Sequence, residues 1–267
     1  MLYILLALIP LAVLILLLYM QNNIIVHTRY EFTTKKLTED LRIVHISDLH
    51  GKIFSSNRLH DHIMREKPDM IAFTGDVADR YKSDAAAMRA VEELASLGDI
   101  APVYAVSGNH EYGRENREEL FCYMEECGIS ILRNDTDRFV YGGGEVSMLG
   151  LDEVGYHCFT EKLLERFSRD KRFKLLLSHF PERFAADYCE YDIDLTLSGH
   201  AHGGQIVLPF IGGLYSPGQG LFPKYARGMH VIKKGRLIVS RGLGNSRFPL
   251  RFANYPEVIT IDIKTQK

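Results

Sequence analysis

The chain has 267 residues, 46% hydrophobic and 25% charged, with 32 Lys and Arg against 34 Asp and Glu. That length and balance suit one large domain or two small ones and exclude a disordered polymer. The net charge of -2 argues against a strongly basic nucleic-acid binder, and four cysteines are too few for a disulfide scaffold.

The charge is unevenly spread, since every charged residue lies at or after Arg29. Residues 2–20, LYILLALIPLAVLILLLYM, are apolar apart from Pro10. At helical rise they cover about 28 Å, close to the hydrocarbon thickness of a bilayer. A cleavable signal peptide is the rival reading. It fits less well, because no Lys or Arg precedes the run and Gln21-Asn22-Asn23 offers no small-x-small cleavage site. The expectation is an uncleaved, single-pass transmembrane anchor over residues 1–22, with Tyr3 and Tyr19 near its ends. Arg29, Lys35 and Lys36 follow it, so the positive-inside rule favours a cytoplasmic C-terminal domain.

Residues 23–40 read as a polar connector, and residues 41–267 as one domain. Leu41–Ser47 reads as a strand, Asn57–Lys67 as a helix stopped by Pro68, and Met70–Thr74 as a strand. Asp84–Leu97 reads as a helix with Ser83 as N-cap and Gly98 as its stop. Val103–Val106 is a strand, followed by a Glu/Arg-rich helix to about Cys127. Ile129–Leu132, Phe139–Tyr141 and Val146–Leu149 read as strands, with a turn at Gly142-Gly143-Gly144. Glu161–Ser168 is a helix, Lys174–Leu177 a strand, Glu182–Cys189 a helix and Leu195–Leu197 a strand. Strands near 230–232, 237–240 and 258–263 close the chain. This alternation predicts a layered α/β domain whose second half leans antiparallel.

Five of these strands run into short polar loops. They end in Ser47-Asp48-Leu49-His50, Thr74-Gly75-Asp76, Ser107-Gly108-Asn109-His110-Glu111, Ser178-His179 and Ser198-Gly199-His200-Ala201-His202-Gly203-Gly204-Gln205. Loops at the carboxyl ends of strands are where open α/β sheets place ligands. Asp48, His50, Asp76, Asn109, His179, His200 and His202 offer two carboxylates, one amide oxygen and four imidazoles. Asp can bridge two cations, and neutral imidazole suits Mn, Fe, Zn, Co or Ni better than Ca. His110 directly follows Asn109 and could serve as an acid instead of a ligand. Each motif alone is weak; five in order, each at a strand end, point to a pair of divalent cations. The other histidines (27, 45, 60, 62, 157 and 230) read as structural or surface residues, and no nucleotide-loop or serine-hydrolase motif is present.

The pattern D-x-H, G-D, G-N-H-[DE], H, G-H-x-H over residues 41–263 resembles the calcineurin-like metallophosphoesterase superfamily. The GHAHGGQ ending and the later SRGLGNS…RF segment look like its YkuE/YaeI-like, membrane-associated branch. The resemblance implies a four-layered α/β/β/α sandwich with two divalent metal ions. Asp48, His50 and His202 would hold the first ion, Asn109, His179 and His200 the second, and Asp76 would bridge them, with His110 catalytic. It further implies hydrolysis of a phosphodiester or pyrophosphate bond by metal-activated water. The anchor suggests a lipid-linked substrate, of which UDP-diacylglucosamine is one candidate by family analogy. A broad-specificity phosphodiesterase of cell-wall or nucleotide substrates is the alternative, and a non-catalytic scaffold a third reading. Arg241, Arg247 and Arg251 lie in the late segment; Arg241 and Arg247 are candidate substrate-phosphate contacts, since guanidinium binds phosphate bidentately. No specific nucleic-acid or protein partner is indicated.

Overall fold

The computed structural model describes residues 2–54, 57–152, 158–245 and 250–266, with side chains in the first helix described from Leu8. After helix α1 (Leu2–Asn23), the first half contributes β1 (Val26–Thr34), β2 (Leu41–Ile46), α2 (Arg58–Glu66), β3 (Met70–Thr74) and α3 (Asp84–Ala95). It continues with β4 (Val103–Val106), α4 (Asn109–Tyr112), α5 (Arg117–Glu126) and β5 (Ser130–Ile131). The second half contains β6 (Asp135–Tyr141), β7 (Gly144–Leu151), α6 (Cys158–Ser168), β8 (Phe173–Ser178), α7 (Pro181–Ala186) and β9 (Leu195–Ser198). Two minimal hairpins follow, β10 (Val207–Leu208) with β11 (Gly212–Gly213), and β12 (Tyr215–Ser216) with β13 (Gly220–Leu221). Strands β14 (Gly228–Ile232), β15 (Gly235–Val239) and β16 (Glu257–Thr265) complete the chain.

The strands form two six-stranded sheets, ordered β1-β16-β2-β3-β4-β5 and β14-β15-β9-β8-β7-β6. Their facing sides share one core, in which Ile43, Met70, Ala72, Ile259 and Ile261 meet Met148, Leu175, Leu177 and Leu197. Leu59 and Ile63 of α2, Ala90 and Val91 of α3 and Leu120 of α5 cover the outer face of the first sheet. Leu164 and Phe167 of α6 and Phe184 of α7 cover that of the second. This is the expected four-layered α/β/β/α arrangement. Strands β3, β8 and β9 are buried along their whole length because helices or the opposite sheet cover both faces.

Several boundaries and one topology differ from expectation. The 23–40 segment is not simply a connector, because β1 pairs in parallel with β16 from Val26↔Glu257 to Thr34↔Thr265. Its residues alternate half-buried and exposed, as an edge strand over a single core does. The second sheet does not lean antiparallel: β15, β9, β8 and β7 run parallel, and only its edge strands β14 and β6 are antiparallel. Helix α3 does begin at Ser83, whose hydroxyl accepts the Ala86 N–H at 3.4 Å.

Among the described residues no helix is long and apolar enough to cross a membrane. The expected transmembrane helix is therefore not supported. What is visible is a helix with apolar side chains exposed all round, among them Leu8, Ile9, Leu11, Ile15 and Leu16, each at least half exposed.

The C-terminal end of α1 is tied to the domain. The Lys52 ammonium donates to the Asn22 carbonyl at 2.5 Å and to the Leu243 carbonyl at 3.1 Å. Asn245 Nδ2 donates to Asn22 Oδ1 at 2.7 Å, Arg58 to the Asn23 carbonyl at 3.4 Å, and the Ala253 N–H to Gln21 Oε1.

Candidate metal centre

Parallel strands put all five chemical loops at one place. β2, β3 and β4 of the first sheet and β8 and β9 of the second deliver them from their carboxyl ends, and backbone bonds then stitch the loops together. The Asp48 N–H donates to Gly75 O at 3.0 Å, His50 N–H to Asp76 O at 2.9 Å, and Gly199 N–H to His179 O at 3.1 Å.

The backbone is forced into unusual conformations to do this. Asp48, His50, Asp76, His200 and His202 all have positive φ, between 47° and 65°. Non-glycine residues adopt this region at a cost of about 1 kcal/mol or more each, and such strain gathers at functional sites. Two glycines permit the close approach. A Cβ on Gly108 would lie 2.2 Å from Asp76 Oδ1, and one on Gly199 would lie 1.9 Å from Ser47 Oγ and 2.5 Å from Asp48 Oδ2.

All seven predicted ligand residues come together in two adjoining groups. In one, His50 Nε2 and His202 Nε2 face each other at 3.0 Å, with Asp48 Oδ1 3.8 Å from the first and 3.5 Å from the second. In the other, His179 Nε2 lies 3.2 Å from Asn109 Oδ1 and 3.2 Å from His200 Nδ1. Asp76 Oδ2 stands between them, 3.5 Å from His50 Nε2 and 3.3 Å from His179 Nε2. His179 Nδ1 is 2.7 Å from the Thr74 carbonyl, which accepts its proton and turns Nε2 toward the cluster.

The charges fit a bound cation. Asp48, Asp76, His50, His179 and His202 are almost completely buried. Burial pushes the Asp48 carboxyl up to about 7. Burial likewise favours neutral rings, holding His50 at about 4, His200 at about 3 and His202 well below its ordinary value. Burial alone would raise Asp76 as it raises Asp48. The charges of His179, His50 and His110 outweigh it and hold this carboxyl well below the usual range, while Asp76 in turn outweighs burial at His179 and raises it to about 10. A buried carboxylate such as Asp48, facing the neutral rings of His50 and His202, is costly unless a cation neutralises it. Donors of this mix suit borderline divalent ions, and the three His/Asp clusters include both groups. The residues therefore fit the expected pair of metal ions.

Sequence reasoning missed the supports. The Glu111 carboxylate is buried and accepts three backbone N–H groups: Gly108 at 2.8 Å and Asp76 at 2.9 Å on Oε2, and Ala78 at 3.0 Å on Oε1. Burial, then the Asp76 charge, raises it to about 7. His110 lies edge-on to His50, ring centroids 4.6 Å apart, with Asp79 Oδ1 at 3.2 Å from its Nδ1. The Asp76-Val77-Ala78-Asp79 spacing, a turn carrying a second carboxylate, was the available signal for Asp79.

The arginines fall out differently. Arg241 Nη2 donates to Glu257 Oε1 at 2.6 Å and lines a recess of about 300 Å³ with Thr28, Tyr30 and Arg227. Its guanidinium is thus committed to a carboxylate, which removes the reason for expecting it on phosphate. Arg247 lies outside the described residues. Arg251 is fully buried, donating from Nε to Asn245 Oδ1 at 2.9 Å and from Nη2 to Gly244 O at 2.5 Å. Burial pulls it down to about 10, against the favourable charge of Asp48.

Carboxylates, imidazoles and one amide converging on two adjoining positions form a candidate binuclear metal site, of the kind used in phosphoryl chemistry. Residues 41–204 match the calcineurin-like phosphoesterase family, and the chain belongs to that family, whose members use two divalent metals. It is 32% identical to the metallophosphoesterase YkuE of Bacillus subtilis, over 85% of this chain and 80% of that one. It is 26% identical to the phosphodiesterase YaeI of Escherichia coli, over 83% and 82%. A bovine transmembrane protein with a metallophosphoesterase domain is 30% identical over 68% of this chain and 47% of its own. The solved structure of TT1561 from Thermus thermophilus shares the fold, with a TM-score of 0.53 at 12% identity over 76% of this chain and 90% of that one.

Proposed function

We propose that this metal-dependent phosphoesterase is anchored by α1 and cleaves a phosphodiester or pyrophosphate bond in a lipid-linked substrate. One observation carries the reading: the end of α1 is bound by residues that border the ligand loops. Lys52, two residues after His50, holds Asn22, and Asn245, which also holds Arg251, bonds the same residue. The sequence of residues 2–20 is an apolar run of about bilayer length at helical rise, and Arg29, Lys35 and Lys36 favour a cytoplasmic domain.

In this reading Asp48, His50 and His202 would hold one ion and Asn109, His179 and His200 the other, with Asp76 serving both groups. When bound, the ions acidify water from a pKa of about 15.7 toward neutrality and offset charge on the phosphoryl oxygens. Asp76 keeps its second oxygen on the His110 N–H at 2.9 Å, so the same carboxylate sets the position of the acid residue. When doubly protonated, His110 donates from Nδ1 to Asp79; when neutral, it accepts the Arg80 N–H on Nδ1 at 3.2 Å. With Nδ1 so engaged, the doubly protonated ring has its Nε2–H to give to the leaving oxygen and returns to the neutral form. His110→Ala should keep both metals by elemental analysis yet lower kcat by about 10²-fold or more, the usual worth of a positioned acid. Loss of metal together with rate would instead make His110 a ligand. Arg247 remains the proposed phosphate contact of the late segment.

Surface-dilution kinetics on the full chain separate the two substrate readings. With a phospholipid diester or lipid pyrophosphate in mixed micelles, the rate should fall as detergent lowers its surface fraction at constant bulk concentration. A rate set by bulk concentration alone, matched on soluble nucleotide diesters, would return the alternative broad-specificity reading.

A further inference from the structure

The loop that carries His200 and His202 continues without a break into the two minimal hairpins, and their turns are apolar. Phe210 is fully exposed, Ile211 61%, Leu221 67% and Phe222 55% exposed. Leu250 and Phe252 add 39% and 44%. Single exposed apolar residues need no explanation, but a group of this size on one surface does.

Backbone bonds hold these turns side by side. The Val207 N–H donates to Phe252 O at 2.9 Å, Leu214 N–H to Ile206 O at 2.8 Å, and Phe222 N–H to Leu214 O at 2.9 Å. The turns present the rings outward at a cost: Phe210 and Phe222 have φ of 65° and 55°, a region that bulky residues rarely occupy. The surface also runs directly into α1, since Ala253, next to Phe252, bonds Gln21 at the end of that helix.

We propose that these turns, with Phe252, enter the headgroup layer of a lipid bilayer and seat the mouth of the metal centre on the membrane surface. The proposal rests on the anchored reading above and adds a second, interfacial contact to it. The bilayer is the occupant because the patch is continuous with an all-apolar helix that needs the same solvent. Apolar and aromatic turns with basic neighbours are what an interfacial contact uses, and here Lys224 and Arg227 follow Phe222 within five residues. The substrate class narrows accordingly to a phosphoester or pyrophosphate at headgroup depth, reached without leaving the membrane.

The chain contains no tryptophan, so one indole reports cleanly. The full-length Phe210→Trp variant is placed in phosphatidylcholine–phosphatidylglycerol vesicles whose lipids carry bromine high on the acyl chain. Its emission should shift to shorter wavelength and lose roughly half its intensity or more, as for a ring held about 5–10 Å into the boundary. Val140→Trp, on the β6 edge of the second sheet, should stay unquenched, and Leu221→Trp gives a second reading if Phe210→Trp folds poorly. Water-like, unquenched emission from protein that resists an alkaline wash overturns this inference and leaves the anchor standing. Protein that washes off the vesicles overturns both. A blue shift in detergent that grows with protein concentration, without quenching by bromolipid, also overturns it and assigns the patch to a second copy of the chain.

Discussion

Asp76→Asn should lower kcat/KM on a soluble diester such as bis-p-nitrophenyl phosphate by on the order of 10³-fold or more, about 4 kcal/mol of transition-state stabilisation. The reason is positional. Asp76 is the only cluster residue with one oxygen within 3.5 Å of a nitrogen from each group, His50 and His179. The amide keeps an oxygen for the His110 N–H, so the loop should hold its shape. It supplies no charge and turns either an N–H group or a neutral oxygen toward two imidazoles. Metal content should therefore fall together with activity, while the circular dichroism spectrum stays unchanged. A variant that hydrolyses the diester at the wild-type rate would remove Asp76 from the centre and, with it, the two-ion assignment.

Glu111→Ala should have the largest effect on stability. It leaves the N–H groups of Asp76, Ala78 and Gly108 buried without their acceptor. An orphaned buried donor costs about 1–3 kcal/mol, so three together cost on the order of 4 kcal/mol even after some relaxation. In a domain of this size that is a melting temperature lower by roughly 10 °C. The measurement belongs in chelator, because bound metal would mask part of the loss by stabilising the native state. Glu119→Ala, at an exposed position on α5, should melt with the wild type. Equal melting of the two variants would show that water can replace the Glu111 carboxylate.

The family of this chain and most of its metal centre were legible before any coordinates. Ligands sit at strand ends with glycines beside them, and this local chemistry is written in consecutive residues. The seven candidate ligands from Asp48 to His202 therefore lie close together in space, as a set read from consecutive residues can. Glu111 was visible only as the last letter of a motif, since the three N–H groups it serves belong to two different loops. Arg241 and Arg251 looked alike, exposed and basic in a late loop. Glu257 captures the first, and burial beside Asn245 and Gly244 encloses the second; neither partner can be inferred from sequence spacing.

The same division explains the errors in the fold. Helices α2 and α3 and strands β3 and β4 follow from local periodicity and caps, so they appeared close to their predicted bounds. Strand β1 reads as polar because only one of its faces meets the core. It is a strand because β16, more than 200 residues later, supplies its hydrogen bonds. The parallel run through β7, β8, β9 and β15 was likewise invisible, since strand direction depends on where connections return and not on the residues within a strand.

The sequence by itself determined the donor set, its order along the chain and an uncharged apolar beginning. Only the tertiary structure decided that Glu111 holds the backbone of two ligand loops, and that the end of α1 is tied to the rim of the site beside exposed phenylalanines. Both are consequences of long-range packing, in which two sheets and a terminal helix bring together groups as far apart in sequence as Gln21 and Ala253.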